Sequence, residues 1–282
     1  MAIHTSLPPV PQGTSVRLIL CRHGETSHNA NSVLQGRLVD PPLNDMGREQ
    51  ASRLGRRLAD TTIDTIISSD LKRAQETADF IAGYHPKAAR KILTNFAEVS
   101  CGDLEGLGTK EPGLMALGKA WLSGNFDYHP PGGESPNAAA RRAVRQLFAL
   151  LQASPIQNDA NEPGVRTIAI VSHGVVLRLI LSTLLHRSLH MAVTMDHHNC
   201  CIDVIDVLAS SPTCVFDPLP PLLSSLDKPT LARFSQEHLA RQTGPGVVPQ
   251  DDERLAPQPL VIVSKKPSFG RAWDVDKGQV AC

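Results

Sequence analysis

The chain reads as an α/β fold, a three-layer α/β/α arrangement around a mainly parallel central sheet. Three observations carry that expectation. Apolar runs of strand length alternate with helix-period segments across residues 15–208, the pattern of strands joined by crossover helices. The main runs are largely apolar along their length, as buried strands are. Two of them end in histidine and glycine, Cys21-Arg22-His23-Gly24 and Val171-Ser172-His173-Gly174, where open α/β sheets place ligands.

Residues 16–21 form the first expected strand, which opens into the turn Arg22-His23-Gly24-Glu25-Thr26, with Asn29 three residues on. Residues 30–45 read as a loop containing Gln35-Gly36. Asn44 or Asp45 then caps a helix to about residue 59, with Ala51, Leu54 and Leu58 on one face. Residues 62–68 predict a short buried strand that hands over at Ser68-Ser69-Asp70 to a helix over 71–83. A short strand at 91–94 precedes an irregular stretch over 98–108. A helical piece at 114–122 leads to Pro130-Pro131-Gly132-Gly133-Glu134-Ser135, and a long helix with Ala139, Val144, Leu147 and Leu151 inward runs to about residue 153. Residues 154–164 predict a solvated linker, 167–172 a strand, 175–185 a helix and 202–208 another strand.

Beyond residue 210 the character changes. Prolines accumulate over 212–221, an amphipathic helix is expected at 230–240, residues 243–259 read as mobile, and 260–263 could add an edge strand. The expected organisation is an N-terminal extension (1–14), one domain (15–208) and a C-terminal extension (209–282).

Composition narrows the partners. Among 282 residues, 28 basic groups balance 28 acidic ones, so no global field calls for nucleic acid or an anionic membrane. No apolar segment has the length of a signal peptide or a membrane span. The six cysteines (Cys21, Cys101, Cys200, Cys201, Cys214, Cys282) lack zinc-site spacing, which with the absent leader predicts a reducing, cytoplasmic setting. His186 and His190 stand at i, i+4 with His197 and His198 beyond, but no Cys or carboxylate pattern completes a metal site. Arg141, Arg142 and Arg145 read as a solvated helix face.

Four segments carry groups suited to phosphoryl transfer. They supply Arg22 and His23; Arg73 in the first turn of a helix after a strand; Glu98, followed by Val-Ser-Cys-Gly-Asp-Leu-Glu-Gly; and His173. A neutral imidazole beside a permanent guanidinium can attack a phosphoryl group, because the cation draws in the anion. The transition state spreads charge over three equatorial oxygens, so positioned cations matter most, and arginines can supply them in fork geometry. No metal or cofactor is then needed.

These residues resemble the histidine phosphatase superfamily, in its phosphoglycerate mutase-like branch. Arg-His-Gly-Glu-Thr, Gln35-Gly36, the Leu-Lys-Arg-Ala-Gln-Glu-Thr-Ala helix start, Gly-Asp-Leu-Glu-Gly, Pro-Gly-Gly-Glu-Ser and Ser-His-Gly stand in family order over residues 15–208. The resemblance implies a phosphoglycerate mutase-like fold and a phosphohistidine at His23. It surrounds the transferred group with Arg22, Arg73 and His173, and puts the proton donor to the leaving oxygen on Glu98. It places Asn29, Gln35, Gly36 and Gly174 along the phosphate pocket. His173 is most useful charged, and a bound phosphate should raise its pKa from the ordinary value of about 6.5.

The resemblance leaves two activities, and the cap decides between them. Mutases of this family carry an arginine pair in a long insertion after the acid, and the acid is followed by Arg-His-Tyr-Gly. Here residues 106–131 hold Lys110 and Lys119 but no arginine, which favours hydrolysis of a small phosphorylated metabolite over mutase chemistry. A non-catalytic phospho-ligand scaffold on the same fold is the remaining alternative, disfavoured because all four segments are intact. Trp121, Phe126, Tyr128 and His129 in the cap are compatible with a substrate larger than a triose phosphate. The C-terminal extension could cover the site or support a homodimer.

Overall fold

The computed structural model describes residues 7, 10, 14–152, 164–208 and 261–266. Most of the expected linker and, in the C-terminal extension, the proline-rich run, the 230–240 helix and the 243–259 segment lie outside those residues.

Among the described residues, six strands form one sheet, in the order β3-β2-β4-β1-β5-β6. They are β1 (Thr14–Arg22), β2 (Thr65–Ser68), β3 (Ala89–Ile92), β4 (Arg166–Ser172), β5 (Ile202–Leu208) and β6 (Val261–Lys266). β1, β4, β2 and β3 run parallel, whereas β5 is antiparallel to both β1 and β6. The pair β1–β5 is tied by a buried bidentate ion pair, Arg17 to Asp206 at 2.6 and 2.8 Å.

Alternation along the strands explains the layers. Leu18, Leu20, Ile168, Ile170 and Ile205 face one core, built with α4 (Pro112–Leu122), α5 (Pro136–Gln152) and α6 (Gly174–His186). Ile19, Cys21, Ala169, Val171, Ile202 and Val204 face the other, covered by α2 (Asp45–Leu58) and α3 (Lys72–Ala82). Because both faces are covered, the central strands are apolar throughout. β3 is exposed at every position, and its Arg90 and Lys91 suit an unprotected edge.

Two local differences from the sequence reading have physical causes. The strand expected at 91–94 lies at Ala89–Ile92, because Leu93 leads into a 3-10 turn at Thr94–Phe96 that buries Phe96. Residues 27–30 form a one-turn helix, α1 (Ser27–Ala30), closed by a capping box between Thr26 and Asn29. The cap aromatics also differ. Trp121 and Phe126 are buried in the core, and the Trp121 indole donates to the Tyr128 carbonyl at 3.1 Å.

Candidate active site

The register of β1 on β4 assembles the two histidines. Arg22 pairs with Ser172, so the next residue on each strand, His23 and His173, emerge side by side. Their ring centroids are 5.1 Å apart. Ser68 of β2 pairs with Val171, which brings Ser69 alongside, and its Oγ lies 2.6 Å from His173 Nε2. Three carboxyl ends of parallel strands therefore deliver three neighbouring side chains to one place.

The tautomer of His23 follows from its partner. Nδ1 lies 2.7 Å from the Gly24 carbonyl oxygen, which can only accept, so Nδ1 carries the hydrogen and Nε2 keeps its lone pair. Burial, then the Arg73 and Arg22 charges, push the His23 pKa well below its ordinary value. The same burial and the charges of Arg73, His23 and Arg22 lower His173. Both rings are thus neutral near pH 7 without an anion present.

Each arginine is fixed at one end. Arg73 is fully buried; its Nη2 donates to the Gly36 carbonyl at 2.8 Å and its Nη1 to Asp40 at 3.0 Å. Asp40 also accepts from the Lys72 amide at 2.8 Å, capping α3 from a distant loop. Arg22 donates from Nη1 to the His197 carbonyl at 2.5 Å. Burial lowers both arginine pKa values while the Glu98 charge raises them, so Glu98 acts on both cations. Nε of Arg22, Nε of Arg73 and Nδ1 of His173 are buried without a hydrogen-bond partner. Each is available to donate to a bound anion.

Glu98 sits at the start of α6. Oε1 accepts from the Val99 and Val176 amides at 2.9 and 3.1 Å, and Oε2 accepts from Val175 at 3.1 Å. A carboxylate against a helix N-terminus meets both its unpaired amides and its dipole. Oε2 has the single partner and is the freer of the two oxygens.

The expected pocket-lining positions divide. Gly174 leaves room for Arg22, since a Cβ there would stand 3.3 Å from its Nε and Cζ. Gly36 supplies the carbonyl under Arg73, and a Cβ there would lie 2.2 Å from Glu105 Oε1. Gln35 Oε1 accepts from the Thr26 hydroxyl at 2.9 Å. Asn29 Oδ1 accepts from Thr26 and from Asn199 Nδ2 at 3.3 Å, so its oxygen serves the turn.

Several supporting residues were not read from the sequence. Glu105 accepts from the amides of Arg37, Leu38, Val39 and Cys101 and from the Ser100 hydroxyl, over 2.7–3.3 Å. Asn199 Nδ2 donates to the His23 carbonyl at 3.0 Å. Arg142 departs from the solvated-face expectation. It grips Glu134 in a fork at 2.8 and 2.7 Å and donates to the carbonyls of Asn95 and Glu98, while Arg141 and Arg145 are exposed. Its signal is present as Pro-Gly-Gly-Glu134 eight residues ahead of the arginine, but spacing alone does not reveal the carbonyls. His190 is a packing residue, edge-on to Phe126 at 5.2 Å between ring centroids.

Comparison with known proteins identifies the family. The signature of the histidine phosphatase superfamily (branch 1) matches residues 18–216. The fructose-2,6-bisphosphatase TIGAR B of Danio rerio is 32% identical over 186 residues, covering 57% of this chain and 72% of the relative. A broad-specificity phosphatase of Saccharomyces cerevisiae is 30% identical over 202 residues, covering 70% and 81%. Among solved structures, a mycobacterial glucosyl-3-phosphoglycerate phosphatase complexed with VO3 superposes with a TM-score of 0.59 at 26% identity, covering 68% of this chain and 92% of that one.

Proposed function

Since the chain belongs to branch 1 of the histidine phosphatase superfamily, we propose that it is a phosphatase that hydrolyses a small phosphorylated metabolite through a phosphohistidine on His23. The observation that carries the reading is the trio of buried, unpartnered nitrogens on Arg22, Arg73 and His173 around an imidazole with its lone pair on Nε2.

In this reading Nε2 of His23 attacks phosphorus in line with the leaving oxygen. A P–N bond forms as the P–O bond breaks. Arg22, Arg73 and His173 hold the equatorial oxygens, where the transition state concentrates charge. Glu98 starts this step protonated and gives that proton to the departing alkoxide. A water then attacks the phosphohistidine, Glu98 takes back a proton, and His23 leaves as a neutral imidazole with inorganic phosphate released. Asn29, Gln35, Gly36 and Gly174 shape the pocket, through the backbone and the turn as much as through direct contact.

The arginine-free cap over residues 106–131 supports transfer to water over return to a second substrate oxygen. We assign residues 15–208 as the catalytic unit, with 1–14 and 209–282 as extensions, the second contributing the strand β6. The free cysteines Cys21, Cys101, Cys200 and Cys201 support a cytoplasmic setting, and no helix among the described residues is long and apolar enough to cross a membrane.

Rapid quench with a radiolabelled aryl phosphate should trap an acid-labile, base-stable phosphoprotein, and His23→Ala should lose both the trapped label and turnover. Full activity in that variant removes His23 as the nucleophile. Isomer interconversion of a monophosphoglycerate without phosphate release would replace hydrolysis with mutase chemistry.

A further inference from the structure

The segment that anchors Arg22 carries a second constellation. His197, Cys201 and Asp203 each offer one donor atom, and the three atoms lie within 4.8 Å of one another. All three residues are buried, at 7%, 5% and 1% exposure. His197 Nδ1 stands 3.5 Å from Asp203 Oδ2. The backbone explains the convergence. Cys200 takes a left-handed conformation, φ 54°, which reverses the chain after His197. Cys201 then stands just before β5 and Asp203 within it, two residues apart along the chain.

We propose that His197, Cys201 and Asp203 form a binding site for a thiophilic divalent cation of the zinc class, separate from the phosphate-handling groups. The donor chemistry selects the ion. One thiolate, one imidazole and one carboxylate match zinc, whereas magnesium and calcium require mainly oxygen donors. Around zinc, donor atoms stand about 3.3–3.6 Å apart, given bond lengths of about 2.0–2.3 Å, so the three donors, within 4.8 Å of one another, would draw together by about an ångström on binding. Binding displaces the Cys201 proton to solvent as the metal–sulfur bond forms, and water completes the fourth position.

The site is coupled to the turn through its own main chain. The His197 carbonyl accepts from Arg22 Nη1, and the Cys201 carbonyl accepts from the Arg22 amide at 3.3 Å. Drawing His197 and Cys201 onto one ion therefore fixes both supports of Arg22, which makes the ion a positioning or regulatory ligand and not a participant in the chemistry.

Titration of the full-length protein with Co2+ tests the proposal. One equivalent should give a thiolate-to-cobalt charge-transfer band and tetrahedral visible bands. Cys201→Ser should lose the charge-transfer band, His197→Ala and Asp203→Asn should weaken binding by roughly tenfold or more, and Cys101→Ser should keep the band. If Cys201→Ser does not fold, zinc-edge X-ray absorption on the wild-type protein gives the same reading, with one sulfur in a nitrogen and oxygen shell. No band at stoichiometric cobalt, a band that survives in folded Cys201→Ser, or a zinc shell without sulfur overturns the site. Each of these outcomes leaves the phosphohistidine reading to its own trapping experiment.

Discussion

His23 and His173 arise from the same local pattern, a strand end followed by glycine, yet their surroundings prepare them for different work. The Gly24 carbonyl locks a hydrogen on Nδ1 of His23 and leaves the lone pair on Nε2. His173 instead has Nε2 against the Ser69 hydroxyl and an unpartnered Nδ1. Burial and two arginines keep it neutral in the free protein, and a bound dianion reverses that balance by favouring the charged ring. Anion binding should then take up close to one proton per site near pH 7. Sulfate is a suitable probe because it is tetrahedral and does not itself titrate there. Calorimetry in two buffers of different ionisation enthalpy measures the uptake, and His173→Gln should abolish it while binding more weakly. Glu98 has a separate signature. Proton donation matters for a poor leaving group and little for a nitrophenolate. Glu98→Gln should therefore cost about 10²–10⁴-fold in kcat on an alkyl phosphate and much less on p-nitrophenyl phosphate; equal losses on both would make Glu98 a helix cap only.

At the scale of elements, the loop over residues 35–40 is the part that sequence patterns describe least and the site depends on heavily. It has no regular structure, yet its Gly36 and Val39 carbonyls and its Asp40 carboxylate hold the Arg73 guanidinium. Its own shape comes from Glu105, which gathers three successive amides. Glu105→Gln places an amide NH2 against N–H donors, and with charged hydrogen bonds worth about 1.5–3 kcal/mol each, a loss of roughly 2–3 kcal/mol in chemical denaturation is expected. The KM for a phosphomonoester should rise with it, because Arg73 loses its floor. Asp103→Asn, two residues away on an exposed side chain, should stay within about 0.5 kcal/mol of the wild type. The contrast shows where legibility ends. The strands and helices are readable because period and burial are local, and Arg22, His23, Arg73 and His173 are readable because the turns that bear them follow strands, whereas Glu98, beyond a 3-10 turn in an irregular stretch, is read only through the family resemblance. Glu105, Asp40, Asn199 and Arg142 act through backbone groups 32 to 176 positions away, and no spacing rule encodes such partners. The one-turn helix at 27–30 was missed for a different reason: a single turn has no apolar face to read.

Across the whole molecule, the sheet collects charges that the chain as a whole does not have. Net charge is zero, but β1, β2 and β4 end together, and two arginines and two histidines meet inside a wall of apolar residues. That concentration has a cost in stability that pH should reveal. His23 and His173 both have native pKa values well below the ordinary value of about 6.5, whereas in the unfolded chain they titrate normally. Between about pH 6.5 and those depressed native values, the unfolded state binds protons that the native state refuses. Stability therefore rises with pH through this window and falls as pH drops, by up to about 2.7 kcal/mol per pH unit for the pair. Above pH 7 both states hold the rings neutral and the dependence vanishes. Urea denaturation at pH 7.5, 6.0 and 5.5 measures the slope. His173→Gln, which keeps a polar side chain but cannot titrate, should remove close to half of it, leaving the part that belongs to His23. A variant whose slope between pH 6.5 and 5.5 matches the wild type would mean that His173 accepts a proton in the folded protein as readily as in the unfolded one.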